Sequence, residues 1–301
     1  MKKEYLAHFF LIIESLLYAG SYTVANDAST YISPFELTLL RAIFAAIIFG
    51  TFQFISVREK VDKQDLLLLA VCSLFGITIS NVLFFGGLAR TTPVNASLLT
   101  LTSPLFLIVF AIIARGEIAA GKLIGVLIGT IGGVLLVWGD TGLMTNAVNP
   151  ILGNIMVGAS AGSYAIYLIL VRPLLLKYHP LTILKWVFTF GILYLLPVWG
   201  WGLTKIEWSE FNASIWIALA FILIGITFIT FLLNTFALKV LDPTIVSTYI
   251  YTTPLFTALI GVFLDGDSSS LSLLIAGILI LFGGFLVSQT NEIQKKEIDS
   301  N

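Results

Sequence analysis

Long apolar segments alternate with short polar connections along the whole chain. Each segment has about 20 residues, enough to cross the roughly 30 Å hydrocarbon layer of a bilayer as a helix. The pattern therefore predicts an all-α integral membrane protein with ten transmembrane helices, followed by a charged tail over residues 290–301. The predicted helices are Leu6–Ala25, Pro34–Ile55, Leu66–Leu88, Pro93–Ala114, Gly121–Trp138, Pro150–Val171, Leu181–Gly202, Ser214–Leu238, Pro243–Leu264 and Leu271–Ser288.

Composition agrees with a bilayer environment. Only 11% of the residues are charged and 58% are hydrophobic, whereas soluble chains carry about 25% charged residues. The formal net charge of -1 indicates no nucleic-acid partner. Cys72 is the single cysteine, which excludes a disulfide framework and a cysteine-ligated metal site. We therefore expect no cofactor and no metal.

Proline after a capping residue marks several helix starts, because the first turn does not need the missing N–H. In Ser33-Pro34-Phe35-Glu36 the glutamate also completes a capping box. Glu36 and Asp242 are thus assigned structural roles. The four pairs are Ser33-Pro34, Thr92-Pro93, Asn149-Pro150 and Asp242-Pro243.

Basic residues are distributed unequally between the two sides of the predicted helices. With the N-terminus inside, twelve lysines and arginines fall on the cytoplasmic side and only Arg90 and Lys205 on the other. The positive-inside rule then predicts an inner (plasma) membrane protein with both termini in the cytoplasm. The twelve are Lys2, Lys3, Arg58, Lys60, Lys63, Arg115, Lys122, Arg172, Lys177, Lys239, Lys295 and Lys296.

The two halves of the chain repeat one another. Six identities between the fourth and ninth segments share an offset of 150 residues. Because each half holds five crossings, the second copy must enter from the opposite face, which predicts inverted repeats over 1–140 and 150–289. The identical positions are 93/243, 97/247, 102/252, 104/254, 105/255 and 106/256.

Several further features of the two halves form a recognisable set, namely Gly20, Pro34 with Arg41, the Pro104 segment closing at Glu117, Pro180, Pro254 and the Asp265/Asp267 turn. In these features the chain resembles the ten-helix, EamA-like branch of the drug/metabolite transporter superfamily. This resemblance implies an exporter or exchanger of amino acids, nucleotide-linked metabolites or drugs. Asn26 and Asp27 stand where the family commonly has a lysine near the end of the first helix.

Glu14 is the only acid deep within a predicted span, where an ionised acid costs roughly 2.5–3.5 kcal/mol on insertion scales. Tyr18 and Tyr22 follow at helical spacing and extend one polar, aromatic face. Two roles remain open, proton or cation handling and a structural acid held protonated or paired. The superfamily's smaller proton-coupled relatives also use a glutamate in their first helix.

Arg41 lies about 10 Å from the start of the second segment. Its axial offset from Glu14 is roughly 7 Å, so the two long side chains could form a buried pair. The alternative is that Arg41 binds a substrate carboxylate.

Pro104 and Pro254 are each expected to kink a helix near mid-bilayer and to free a backbone carbonyl. Hydroxyls beside them could line the substrate pathway or could bond back to their own helix. Asn81 and three tyrosines are weaker candidates, as lining residues or as interface anchors. The hydroxyls are Thr100, Thr102, Ser103, Thr252 and Thr253, and the tyrosines are Tyr164, Tyr249 and Tyr251.

Two groups of small residues indicate helix packing and not a catalytic site. Glycines at 121, 125, 129 and 133 form a ridge that allows close helix approach. Gly158-Ala159-Ser160-Ala161-Gly162 matches the serine-hydrolase elbow only in letters, because it lies inside a predicted span. Ser160 is therefore not expected to act as a nucleophile, and we expect no enzyme activity.

The leading hypothesis is a proton-coupled secondary exporter of amino acids or similar small metabolites. The alternative is an uncoupled facilitator or exchanger of a nucleotide-linked or sulfonium metabolite. The expected partners are a small-molecule substrate and the lipid bilayer, with a homodimer left open.

Overall fold

A computed structural model describes residues 2–29, 31–91, 96, 99–115, 120–139, 149–260 and 271–300, which form helices and short turns and no strand. We number the longer helices α1 to α11 in chain order. They are α1 Lys2–Ser29, α2 Pro34–Val57, α3 Lys63–Leu88, α4 Ser103–Arg115, α5 Ala120–Gly139, α6 Pro150–Lys177, α7 Pro180–Leu203, α8 Ala213–Val240, α9 Pro243–Thr248, α10 Thr252–Ile260 and α11 Leu271–Ser300.

Every predicted apolar segment coincides with helix in the described residues. Within the described residues, five helices are long and apolar enough to cross a membrane, namely α2, α3, α6, α7 and α8. Large apolar side chains on them remain exposed, such as Leu67 at 74% and Trp201 at 75%. Such continuous apolar surface suits contact with lipid. The fold is that of a multi-pass, all-α membrane protein, in which α11 continues as helix into the predicted tail.

The chain packs as two compact units that cut across its sequence halves. One unit contains residues 1–85 and 167–240, and the other contains residues 86–166 and 241–301. Each half of the sequence therefore contributes helices to both units. The predicted boundaries at 140 and 150 separate the two sequence repeats. The boundaries between the two packed units instead fall within α3 and α6 and between α8 and α9.

In the first unit, α7 packs against α2 and α3, and α8 packs against α1. Aromatic rings join these helices, with Phe49 stacked on Phe188 at 5.8 Å and Phe188 edge-on to Phe231 at 5.0 Å. Both α3 and α8 contain π-helical turns, over Leu74–Ile79 and Phe221–Ile229. These turns end 150 residues apart, the offset of the sequence repeat.

Loop contacts in the first unit show which helix ends lie together. The α2–α3 loop meets the α6–α7 loop through Lys177 and Asp62, at 2.6 Å. Lys239 at the end of α8 donates to the Tyr178 carbonyl oxygen at 3.3 Å. At the other end, Phe35 near the start of α2 stacks on Trp199 near the end of α7, at 5.2 Å. This arrangement agrees with the alternating directions that the charge pattern predicts.

In the second unit, α5 and α11 approach closely through glycine. A Cβ atom placed on Gly125 would lie 2.7 Å from the Gly283 carbonyl oxygen, and one on Gly129 would lie 2.8 Å from the Tyr251 ring. A Cβ atom on Gly121 would likewise clash with the Thr290 side chain, and one on Gly133 would clash with that of Leu101. The predicted packing ridge is confirmed, because no larger residue fits at these positions without moving a neighbour.

Both predicted proline breaks are present. The chain turns at Leu101 and Thr102, and α4 begins at Ser103, with the Leu105 and Phe106 N–H groups donating to the Thr102 carbonyl oxygen. In the second half a 3₁₀ turn over Tyr249–Tyr251 separates α9 from α10. The first interruption ends two residues before Pro104 and the second ends three residues before Pro254. A proline cannot donate to the carbonyl four residues earlier.

The helix caps follow the sequence with one difference. Asp242 accepts from the Thr244 N–H at 2.9 Å and Asn149 accepts from the Leu152 N–H at 3.2 Å, as capping residues do. Ser33 instead donates its hydroxyl to the Glu36 carboxylate and caps no N–H group. The predicted capping box at α2 is thus a side-chain pair. The Thr92-Pro93 pair lies outside the described residues.

Candidate functional site

Glu14 lies in the middle of α1, partly buried against α8. The Asn234 amide donates to both of its carboxylate oxygens, at 3.0 and 3.1 Å. Asn234 was missed in the sequence, although it is a strongly polar residue within the eighth apolar segment. A search of every apolar segment for amides as well as charges would have found it.

Arg41 lies on α2 and is also partly buried. Its Nε donates to the Thr227 hydroxyl at 2.8 Å, and its guanidinium interacts electrostatically with Tyr18. Thr227 in turn donates to the Ile222 carbonyl oxygen, five residues earlier, at 2.9 Å. This five-residue step belongs to the π-helical part of α8, so the irregular turn places the acceptor that orients Arg41.

The predicted pair between Glu14 and Arg41 does not form. Each side chain has its own uncharged partner on α8, Asn234 for Glu14 and Thr227 for Arg41. These two positions are seven residues apart, about 10 Å along a helix. The distance estimate from sequence omitted α8, which lies against both α1 and α2.

A small cavity opens beside Arg41 in the same unit. Thr38 and Asn81 contribute polar groups, and both are partly satisfied by their own helices, Thr38 through the Pro34 carbonyl oxygen and Asn81 through that of Ile77. The remaining wall is apolar. The lining residues are Thr38, Arg41, Ile77, Asn81, Phe188 and Phe231.

Most predicted pathway hydroxyls bond back to their own backbone. Thr100 donates to the Ala96 carbonyl oxygen and Thr252 to that of Tyr249, both at 2.7 Å, and Thr102 to that of Leu99 at 2.5 Å. Ser103 differs, because its hydroxyl is buried and has no hydrogen-bond partner in the described structure. Pro104 is buried beside it at the start of α4.

The predicted tyrosines occupy different environments. Tyr251 is fully buried, bonded to the Thr130 hydroxyl at 2.7 Å and packed over Gly129, so its contacts are those of a core residue. Tyr164 and Tyr249 are partly buried on α6 and in the 3₁₀ turn. Tyr22 and Pro254 lie in α1 and α10, with side chains outside the described part of the chain. Glu117 and the Asp265/Asp267 turn are also outside it.

Polar side chains join two loops of the first unit. Lys177 contacts Asp62 and Asp65, each at 2.6 Å, and the Tyr178 hydroxyl donates to Asp65 at 2.5 Å. Lys177 and Asp62 are about half and two-thirds exposed, where ion pairs contribute little to stability. The arrangement fixes loop geometry more than it stabilises the fold.

His179 completes this group and caps α7. Its Nδ1 accepts from the Leu181 N–H at 3.3 Å, and the backbone N–H of His179 donates to the Glu59 carboxylate at 2.9 Å. Burial and then the charge of Lys239 lower the pKa of His179, against Glu59, which raises it. The lowered pKa favours the neutral imidazole, the form whose Nδ1 can accept a hydrogen bond.

Ser160 lies within the continuous helix α6, so the strand-to-helix turn of a hydrolase elbow is absent there. Among the described residues, no group of histidine, cysteine, aspartate and glutamate could hold a metal ion.

Comparison with known proteins gives the same picture. An uncharacterized transporter of Archaeoglobus fulgidus is 28% identical over 285 residues, covering 93% of this chain and 96% of the relative. The uncharacterized inner membrane transporter YicL of Salmonella typhimurium is 27% identical, covering 92% and 93%. A crystal structure that shares 20% identity matches with a TM-score of 0.75, over 94% of this chain and 96% of that one, which shows a shared fold.

The family match covers both halves of the sequence, over residues 5–138 and 151–289. It spans all the helices described above, including α1 with Glu14, α2 with Arg41 and α8 with their two partners. The chain belongs to the EamA-like transporter family, a family of membrane transporters.

Proposed function

We propose that this protein is a secondary active exporter of amino acids or similar small metabolites, and that Glu14 couples export to protons. The observation that carries the proposal is the pairing of Glu14 with a neutral amide. An arginine or lysine partner would hold the acid ionised, because the opposite charge favours the carboxylate. Asn234 carries no charge, so its two donated hydrogen bonds favour the carboxylate less strongly than an opposite charge would.

An amide can serve both protonation states of an acid. Its N–H groups donate to the carboxylate, and its oxygen can accept from the protonated carboxyl group after rotation of the amide. Glu14 could thus load and release a proton within the membrane without losing its partner. A residue with only a structural role has no need of this property.

In the proposed architecture the chain crosses the inner membrane ten times, in two inverted repeats. Both termini then lie in the cytoplasm. The twelve-to-two distribution of basic residues supports this orientation. The grouping of the α2–α3 loop, the α6–α7 loop and the end of α8 agrees with it. Inverted repeats of this kind suit alternating access to a site near the midplane.

The test is transport by the purified protein in proteoliposomes, with a panel of radiolabelled amino acids. We expect accumulation driven by an imposed pH gradient, and counterflow without one. Glu14→Gln should abolish gradient-driven accumulation and keep counterflow, since glutamine has nearly the same shape and cannot ionise. Glu14→Asp, which keeps the acid, is the matched control and should retain part of the accumulation.

Two results would contradict the proposal. Accumulation that ignores the pH gradient in the wild-type protein would favour the uncoupled facilitator or exchanger. Gradient-driven accumulation that survives in Glu14→Gln would remove Glu14 from coupling.

A further inference from the structure

Two basic residues meet at one end of the contact between α2 and α7. Lys185 lies near the start of α7, and its Nζ donates to the side-chain oxygen of Gln53 on α2 at 3.2 Å. Arg58 directly follows α2, and its backbone N–H donates to the Gln53 carbonyl oxygen at 2.8 Å. Gln53 is buried and contacts both residues, so it holds the two cations close to one another.

The stem of Lys185 lies against a side of α2 that carries exposed apolar residues. A Cβ atom on Gly50 would lie 3.9 Å from the Lys185 Cγ atom, which places the two helices side by side here. Positions 47, 50 and 54 share one stripe of a helix, and Ile47 and Phe54 are 62% and 69% exposed. Leu193 follows Lys185 by two helical turns on α7 and is 60% exposed. These five residues form a surface that suits lipid, which we call the α2–α7 groove.

The Arg58 side chain folds back over the same stripe of α2. Its Nε donates to the Phe54 carbonyl oxygen at 3.2 Å, and its guanidinium lies 5.9 Å from the centre of the Phe54 ring. On the other helix, the Lys185 Nζ lies 5.7 Å from the centre of the Trp186 ring. Tryptophan is enriched at the level of the lipid headgroups. The two cations therefore lie where the apolar groove meets the headgroup layer.

The carboxylates of the adjacent α2–α3 connection have other partners. Asp62 and Asp65 each contact Lys177 at 2.6 Å. Glu59 accepts from the backbone N–H of His179 at 2.9 Å. None of these contacts involves the two cations of the groove. An anion that enters from the bilayer thus meets two basic side chains at this end of the groove.

We propose that the α2–α7 groove binds one anionic phospholipid. Lys185 and Arg58 bind the oxygens of its headgroup phosphate, and its acyl chains lie over Ile47, Phe54 and Leu193. Basic pockets between transmembrane helices on the cytoplasmic side bind anionic headgroups in this way. A zwitterionic lipid also has a phosphate, but its ammonium group would bring a third positive charge beside the two cations. The site does not depend on what the protein transports.

The test follows lipid binding to the purified full-length protein in detergent by native mass spectrometry. Three probes are compared, namely dioleoylphosphatidylglycerol, dioleoylphosphatidylcholine, which has the same acyl chains without net charge, and glycerol 3-phosphate, which has no acyl chains. The wild type should bind one phosphatidylglycerol about fivefold or more tightly than phosphatidylcholine, because each basic residue near an anionic headgroup contributes about this factor. Glycerol 3-phosphate at the same concentration should not displace it.

Variants of the two cations show where the lipid binds. Lys185→Gln and Arg58→Asn should each lower phosphatidylglycerol affinity about fivefold and leave phosphatidylcholine affinity unchanged. Asparagine is chosen for position 58 because Arg58 has a left-handed backbone, with φ at 49°, which asparagine adopts readily. Lys185→Arg keeps the charge and should keep the preference. Lys205→Gln is the matched control, since it removes one exposed positive charge at the other end of α7.

Equal wild-type affinity for the two phospholipids would overturn the proposal. Displacement of phosphatidylglycerol by an equal concentration of glycerol 3-phosphate would also overturn it, because the groove would then be a site for soluble phosphate. A loss in Lys205→Gln as large as in the groove variants would show that net charge alone attracts the lipid. If Lys185→Gln does not fold, Arg58→Asn decides, and unchanged phosphatidylglycerol affinity in that variant contradicts the site.

Discussion

Asn234 donates its amide to both carboxylate oxygens of Glu14, joining the last third of α8 to the middle of α1. The two residues are 220 positions apart in sequence. The acid is thereby held in place by a group that carries no charge. This relationship has consequences for stability as well as for proton coupling.

Asn234→Leu should destabilise the protein by about 1–3 kcal/mol, because the Glu14 carboxyl group would lose its donor inside the membrane. Asn234→Gln keeps an amide and should cost less. Thermal unfolding in detergent at fixed pH measures both changes.

A double-mutant cycle shows whether the loss comes from Glu14. With Glu14→Leu present, Asn234→Leu should cost much less than in the wild type, since no carboxyl group remains to be satisfied. Equal costs in the two backgrounds would mean that Asn234 acts through packing and not through Glu14.

Gly125→Ala should destabilise the contact between α5 and α11 by about 1–3 kcal/mol, as overpacking does. The new methyl group would lie 2.7 Å from the Gly283 carbonyl oxygen. This oxygen belongs to the backbone of α11 and cannot easily move away. Gly158→Ala is the control, because nothing lies within 4 Å of its Cβ position. Thermal unfolding in detergent should separate the two variants, and equal stabilities would show that α5 and α11 do not pack as described.

Local features of this fold were readable from the sequence. Apolar length indicated the helices, the four-residue glycine spacing indicated a packing ridge, and Pro104 indicated a helix break. Each depends on residues close together in the chain, so spacing alone carries the signal. The π-helical turns of α3 and α8 end 150 residues apart, but no residue pattern predicted these turns.

The partners of the charged residues could not be read in this way. A pair between Glu14 and Arg41 was one of two interpretations, because two long side chains can bridge an axial offset of roughly 7 Å. The offset alone does not say which other helix supplies a partner to each side chain. Thr227 is 186 positions from Arg41 and is presented by a π-helical turn, which has no recognised sequence signal. Two interpretations of the hydroxyls near Pro104 stayed open in the sequence, because their bonds to the backbone depend on local geometry.

Reporter fusions test the predicted orientation. A reporter after Asn301 should report the cytoplasm, and one inserted in the loop over 141–149 should report the other side, since an odd number of crossings separates them. An insertion between Lys177 and Pro180 should report the cytoplasm, because Lys177 contacts the α2–α3 loop. Matching signals from Asn301 and the 141–149 loop would overturn the inverted-repeat scheme.

The stability of the protein should fall as the pH drops below about 6.5, and His179 should account for part of the loss. Its pKa is lowered in the folded state, mainly by burial and then by Lys239, with Glu59 acting in the opposite direction. At pH values between the folded and unfolded pKa, the unfolded chain binds a proton at His179 that the folded chain does not. Stability therefore rises with pH across this window and is fully present above the ordinary histidine pKa.

His179→Asn isolates this contribution, because asparagine also caps a helix start and does not titrate in this range. The variant should unfold at nearly the wild-type temperature at pH 8 and should lose less stability than the wild type between pH 7 and pH 5. His8→Asn, which changes the other histidine of the chain, measures separately what that residue contributes to the pH dependence. A His179→Asn protein that loses as much stability as the wild type over the same range would show that protonation of His179 does not oppose folding, and that another group carries the acid sensitivity.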